Sequence, residues 1–155
     1  MKKIIQDLKT GNITFGQYID LRQTLADYGK NKDILALYKS IFAILKGKDF
    51  AVDFTDSTNI EFINQVLKEL HIWQQREENT LQNTVSPQEQ QAGIKEFSDQ
   101  VGWLGVVIPL SKDYHISPDT LLATWKYKEV YSVLFYENQK TKYEQRLSKA
   151  YKLKK

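Results

Sequence analysis

The side chains able to do chemistry are few and scattered along this chain. It has two histidines and no cysteine. His71 and His115 lie far apart, with no His-x-His or His-x-x-x-His spacing, so a metal site would need carboxylates from elsewhere to join them. His71 borders an apolar stripe that ends at Trp73, and His115 lies in a link between two predicted helices. Both read as structural or solvent-facing. Without cysteine, disulfides and thiolate zinc sites are excluded, and a reducing compartment fits. Glu77 and Glu78 are adjacent, and neighbours on a helix point to different faces, so they do not jointly hold a substrate. Gly102-x-x-Gly105 lacks the flanking strand and third glycine of a phosphate cradle, and reads as close packing or a bend. There is no Gly-x-Ser-x-Gly elbow, no phosphate loop ending in Lys-Ser/Thr and no dinucleotide fingerprint. The residues imply no enzyme, no metal site and no cofactor.

What the chain does offer is contact chemistry. Three tryptophans, nine tyrosines and seven phenylalanines are ample for a domain of 155 residues, and such side chains dominate both cores and interface hot spots. Trp73 and Trp103 are expected in the core. Trp125, at a predicted break between helices, is expected on a contact surface. The net charge of +3 is unevenly spread. Lys140, Lys142, Arg146, Lys149, Lys152, Lys154 and Lys155 face only Glu144, a local charge of +6, which leaves −3 on the first 139 residues. A basic tail on a mildly acidic body suits an anionic partner, either nucleic acid or an acidic protein face. A solvated helix end has the same appearance, because cations favour the C-terminal dipole.

The elements that must position these residues are helical. Thr14 with Gln17 has capping-box spacing and opens a helix carrying Phe15, Tyr18, Leu21 and Leu25 on one face. Asp33 caps a second, with Ile34, Leu37, Tyr38, Ile41 and Leu45 before Gly47. Thr58 with Glu61 opens a third along Ile60, Ile63, Val66, Leu67, Leu70 and Trp73. Ser86-Pro87 opens a fourth, carrying Ile94, Phe97, Val101 and Leu104 towards a kink or end at Pro109. Ser117-Pro118 opens a fifth, with a break near Thr124-Trp125, and a last helix runs from about Lys126. The expected fold is therefore all-α with five or six helices, and Asp49–Phe54 is either a short strand or an extended link. An N-terminal half over residues 1–73 and a C-terminal half over 93–155 flank a polar, glutamine-rich stretch at 74–92, expected to be a mobile link or solvated helix end. The two halves read as one structural unit.

The longest apolar run, Val101–Leu110, is about half what a membrane-spanning helix needs, so no membrane partner is expected. Met1-Lys2-Lys3-Ile4-Ile5 is too short an apolar run for a signal peptide.

The last helix has two characters. Val130, Val133, Leu134 and Tyr136 form a broad apolar face of the kind that packs on a domain. Beyond it, Tyr143, Leu147 and Ala150 make a narrow seam with Lys140 in it, which suits either a partner helix or the protein's own body. Partner contacts are expected at Trp125, Tyr127, Tyr131, Tyr136, Tyr143, Leu147 and Tyr151, with the basic tail matching an acidic partner. The alternative is a nucleic-acid-binding tail, in which interleaved tyrosines and cations stack bases and hold phosphates.

Two phrases carry a family resemblance. ITFGQYIDL (Ile13–Leu21), with the later LALYKSIFAIL, resembles the N-terminal part of tailed-bacteriophage proteins of the tail-assembly-chaperone and related tail or head–tail gene neighbourhood. ISPDTLLATWKYKEVYSVLFYENQKTKYEQRL resembles the end of such proteins. The resemblance implies a non-enzymatic role in building a phage particle, with other tail or structural proteins, or further copies of itself, as partners. It places the protein in the bacterial host cytoplasm, the virion or both.

Overall fold

The computed structural model describes residues 1–48, 52–81 and 87–152. Among these the chain is all-α. Its helices are α1 (Lys2–Thr10), α2 (Phe15–Asn31), α3 (Ile34–Lys46), α4 (Ser57–Leu81), α5 (Pro87–Gln91), α6 (Ile94–Val101), α7 (Leu104–Asp113), α8 (Pro118–Thr124) and α9 (Tyr127–Lys152).

Helix-start chemistry sets the beginnings of α2, α3, α4 and α8. The Gln17 amide donates to the Thr14 hydroxyl at 3.2 Å, and the Thr14 amide donates to the Gln17 carboxamide oxygen at 3.1 Å, so the capping box is complete. The Asp33 carboxylate accepts from the Ala36 amide at 3.0 Å, and the Ser117 hydroxyl accepts from the Thr120 amide at 3.1 Å ahead of Pro118. α4 differs from expectation at its start. Asp56, not Thr58, accepts there, taking the Thr58 amide at 2.8 Å, and the helix begins at Ser57.

Nine helices among the described residues replace the five or six expected. α1 was not anticipated, because its N-terminus has no side-chain cap to announce it. Its Ile5 and Leu8 are nevertheless buried. The single helix expected after Ser86 is instead α5, α6 and α7. Gly93 (φ 77°) and Gly102 (φ 50°) take positive φ, which helical geometry forbids, and so interrupt it twice. Pro109 neither ends nor precedes a break: α7 continues through it to Asp113, at the cost of one backbone hydrogen bond. Gln74–Leu81 is not a link but the last two turns of α4. Residues 82–86, the middle of the expected link, lie outside the described residues, as do 49–51. Val52, Asp53 and Phe54 form no strand.

α2 and α3 fold back on each other as an antiparallel hairpin. The Gln17 carboxamide at the start of α2 reaches the Ile44 carbonyl near the end of α3 at 3.1 Å. Their buried faces (Phe15, Tyr18 and Leu21; Leu37, Ile41 and Phe42) meet the α4 stripe of Phe62, Ile63, Val66, Leu70 and Trp73. One apolar cluster runs from Ile5 to Tyr131, so elements from both halves share it.

Backbone hydrogen bonds also join the halves where α2 and α9 begin. The Phe15 amide donates to the Trp125 carbonyl at 2.8 Å, the Tyr127 amide to the Ile13 carbonyl at 2.9 Å and the Lys128 amide to the Gly11 carbonyl at 3.1 Å. These bonds form an antiparallel bridge between Thr14 and Lys126. The two sequence phrases noted above thus meet where α2 and α9 begin. Here α2 passes so close to α8 that a methyl group on Gly16 would lie 2.9 Å from the Leu122 carbonyl oxygen. Gly29, near the other end of α2, has open space.

The two glycines therefore predict opposite signs. Gly29→Ala should raise stability by about 0.5–1 kcal/mol through helix propensity. Gly16→Ala should lower it by about 1–3 kcal/mol, because backbone rather than a flexible side chain must move. Urea denaturation of the two variants checks both.

Candidate functional site

α9 carries most of the residues singled out from the sequence, and it sorts them onto opposite faces. Tyr127 and Tyr131 are expected contacts that the structure buries, at 4% and 7% exposure. Each is held from within. The Tyr127 ring stacks on Trp73 at 4.3 Å, and its hydroxyl donates to Glu77 at 2.9 Å. The Tyr131 hydroxyl lies 2.8 Å from the Thr80 hydroxyl. The Thr80 proton is already given to the Arg76 carbonyl, which makes the Tyr131 phenol the donor. The Arg76 guanidinium covers the Tyr131 ring at 4.3 Å. Both are core residues, and what remains open of their side chains lines the groove described below.

Trp125 is half-buried at the α8–α9 junction, edge-on to Tyr114 with centroids 4.6 Å apart. Tyr136 belongs to the outer face, not to the packing face with Val130, Val133 and Leu134. It is 63% exposed, alongside Tyr143 at 57%, Leu147 at 39% and Tyr151 at 66%. At 3.6 residues per turn these four fall in one stripe, with Lys140 inside it. That stripe lies opposite the line of Tyr127, Val130, Leu134 and Asn138 that faces the body. Every residue from Tyr143 to Tyr151 is exposed, so the last turns of α9 carry no covering element among the described residues. Of the basic residues, Lys140, Arg146 and Lys149 are exposed and Lys142 is half-buried. Lys152 is the last residue of α9, while Lys154 and Lys155 lie outside the described residues.

The polar centre of the molecule is Glu77, a residue the sequence offered only as part of a solvated stretch. Its Oε1 accepts from the Tyr18 hydroxyl at 2.6 Å and from the Tyr127 hydroxyl at 2.9 Å, and its Oε2 pairs with Arg22 Nη1 at 3.2 Å. Arg22 Nη1 also donates to the Tyr18 hydroxyl at 3.0 Å, so the ring of groups is closed. Around it stand Trp73, Trp103 and Phe15, with Tyr18 and Tyr127 only 4.2 Å apart between centroids. Burial, and then the negative charge of Glu77, push both phenols well above the usual tyrosine value. Position 77 does continue the α4 stripe of Val66, Leu70 and Trp73 at helical spacing. Only its residue type hid it.

Above this centre lies a groove of about 380 Å³ between the end of α4, α7 and the first half of α9. Its walls are largely apolar, with Leu81, Trp103, Val106, Val130 and Leu134 among them, and Glu77 and Glu137 are its charged groups. Asn138 closes one end by donating to the Leu81 carbonyl at 2.9 Å, at the C-terminus of α4. Among the described residues no three His, Cys, Asp or Glu come together as a metal site, and no helix is long and apolar enough to cross a membrane. His71 and His115 are both exposed, on separate elements. No family model, curated protein or solved structure matches the chain.

Glu77→Gln should cost about 1–3 kcal/mol in urea denaturation, because Arg22 then loses its counter-charge and the phenols lose a strong acceptor. Glu78→Gln, one residue along on the exposed face, should change stability by less than about 0.5 kcal/mol. Alkaline pH tests the same centre. The phenol pKa values are raised in the folded state, so the stability that Tyr18 and Tyr127 contribute is complete below the unfolded tyrosine value of about 10 and declines as pH rises above it. The alkaline fall in stability should be shallower in a Tyr18→Phe/Tyr127→Phe variant than in the parent. Equal slopes would mean that neither phenol is held protonated.

Proposed function

We propose that this chain is a non-enzymatic protein–protein assembly factor, docking through the outer stripe of α9 onto an acidic protein surface. The observation that carries this reading is the stripe itself: Tyr136, Tyr143, Leu147 and Tyr151 are exposed together on the face turned away from the body. Aromatic residues aligned at helical spacing bury large area at low entropic cost when a partner covers them. The surrounding cations select that partner's charge and speed the encounter. The carboxylate at the molecule's centre supports the same reading, since its oxygens are taken up by two phenols and a guanidinium. The tailed-phage setting, in tail assembly or at the head–tail region, rests on the resemblance of the two phrases that meet at the Thr14–Lys126 bridge.

A Tyr143→Ser/Leu147→Ser variant should lose association with its partner or with itself, while its thermal transition stays within the range of an exposed substitution, about 0.5 kcal/mol. Light scattering behind size exclusion, with calorimetry on the same samples, reads both. A large loss of stability would place the stripe in the protein's own core. Association that appears only with DNA and collapses steeply as salt rises would instead assign the tail to phosphate contacts.

A further inference from the structure

We infer that the surface receiving the α9 stripe is the apolar groove of a second copy of this chain, so that copies associate head to tail; this rests on the assembly reading above. The groove and the tail are complementary in chemistry. The groove is walled by aliphatic and aromatic side chains and carries two carboxylates, of which Glu77 is balanced by Arg22. Glu137, exposed on the α9 side of the groove, pairs with no cation among the described residues and offers one a carboxylate, while Arg76 over the Tyr131 ring is the cation on the α4 side. The tail brings Tyr143 and Leu147 with Lys140 and Arg146 beside them, an apolar stripe edged by cations. A volume of about 380 Å³ sits at the small end of ligand sites, which suits a few side chains from a helix rather than a whole element.

Among the described residues, none of the α9 tail fills the groove. The first half of α9 forms one wall of it, and the same helix continues, carrying residues 143–152 about 15 Å further along its axis. The stripe, moreover, faces away from that wall. Two different surfaces of one molecule that fit each other make a heterologous contact, which closes into a ring or continues as a filament.

The test is complementation. Wild-type protein should show a mass that rises with concentration in light scattering or sedimentation. Glu137→Arg, at an exposed position outside the core, should weaken self-association at least about tenfold, the effect of 1.4 kcal/mol. Tyr143→Ser/Leu147→Ser should weaken it likewise. Mixed together, the two variants should form a one-to-one complex that grows no further, because one retains a tail and the other a groove. Wild-type protein that stays monomeric at every concentration overturns the inference. So does a Glu137→Arg variant that associates like wild type while the tail variant does not, an outcome that leaves the docking reading standing and points to another surface. A tail variant that associates like wild type would sink the docking reading itself.

Discussion

The first amides of a helix have no partner within it, and two long helices that begin side by side double the problem. This chain solves it reciprocally. The Phe15 amide at the start of α2 takes the Trp125 carbonyl, and the Tyr127 amide at the start of α9 takes the Ile13 carbonyl. Each helix thus caps the other through backbone, while Gln17 and Glu129 satisfy the neighbouring amides from their own first turns. The rest of the arrangement follows from this junction. It sets the direction in which α9 leaves the body, brings Tyr18 against Tyr127, and forces α8 so close to α2 that only a glycine fits at position 16.

Glu77 then locks what the junction aligns. A carboxylate among aromatic rings would be costly alone, but here two phenols and a guanidinium from two other helices surround it. Tyr18 and Arg22 come from α2, Tyr127 from α9, and Glu77 itself from the end of α4. Three helices are thereby fixed in rotation as well as in position, which apolar contacts alone specify poorly. The arrangement explains why α4 stays helical through a glutamine-rich run that looks incapable of packing. Its inner face at 73, 77, 80 and 81 is anchored, and the other polar residues from Gln74 to Asn79 are exposed or half-buried.

What could be read beforehand was local. The all-α class, the caps at Thr14, Asp33 and Ser117, and the break before α9 all depend on residues within one turn of each other, and sequence displays such neighbours directly. The misreadings were of long-range origin. Nothing near Glu77 signals that Tyr18 and Tyr127, 59 and 50 residues away, will supply its hydrogen bonds. Tyr127 and Tyr131 looked like contact residues because helical spacing shows that side chains share a face but not which face meets the body. The same ambiguity moved Tyr136 from the packing face to the outer one. Gly102 stood out beside Gly105 as a place of close packing or a bend and Gly93 did not, yet the positive φ of Gly93 and Gly102 is what turns one expected helix into three.

α9 is in this light a single rigid object with two surfaces. Its inner line, Tyr127, Val130, Leu134 and Asn138, is continuous with the core and walls the groove, and its outer line ends in an exposed tail. An uninterrupted helix holds the two lines at a constant rotation, and the backbone bridge at its start holds both relative to the body. A surface used for docking must present its side chains in one geometry, since each flexible joint between anchor and contact adds entropy that binding has to overcome. Here no joint intervenes from Tyr127 to Lys152. The tyrosines of the outer stripe are therefore held in one orientation by hydrogen bonds about five turns away, which is the geometry the proposed docking requires.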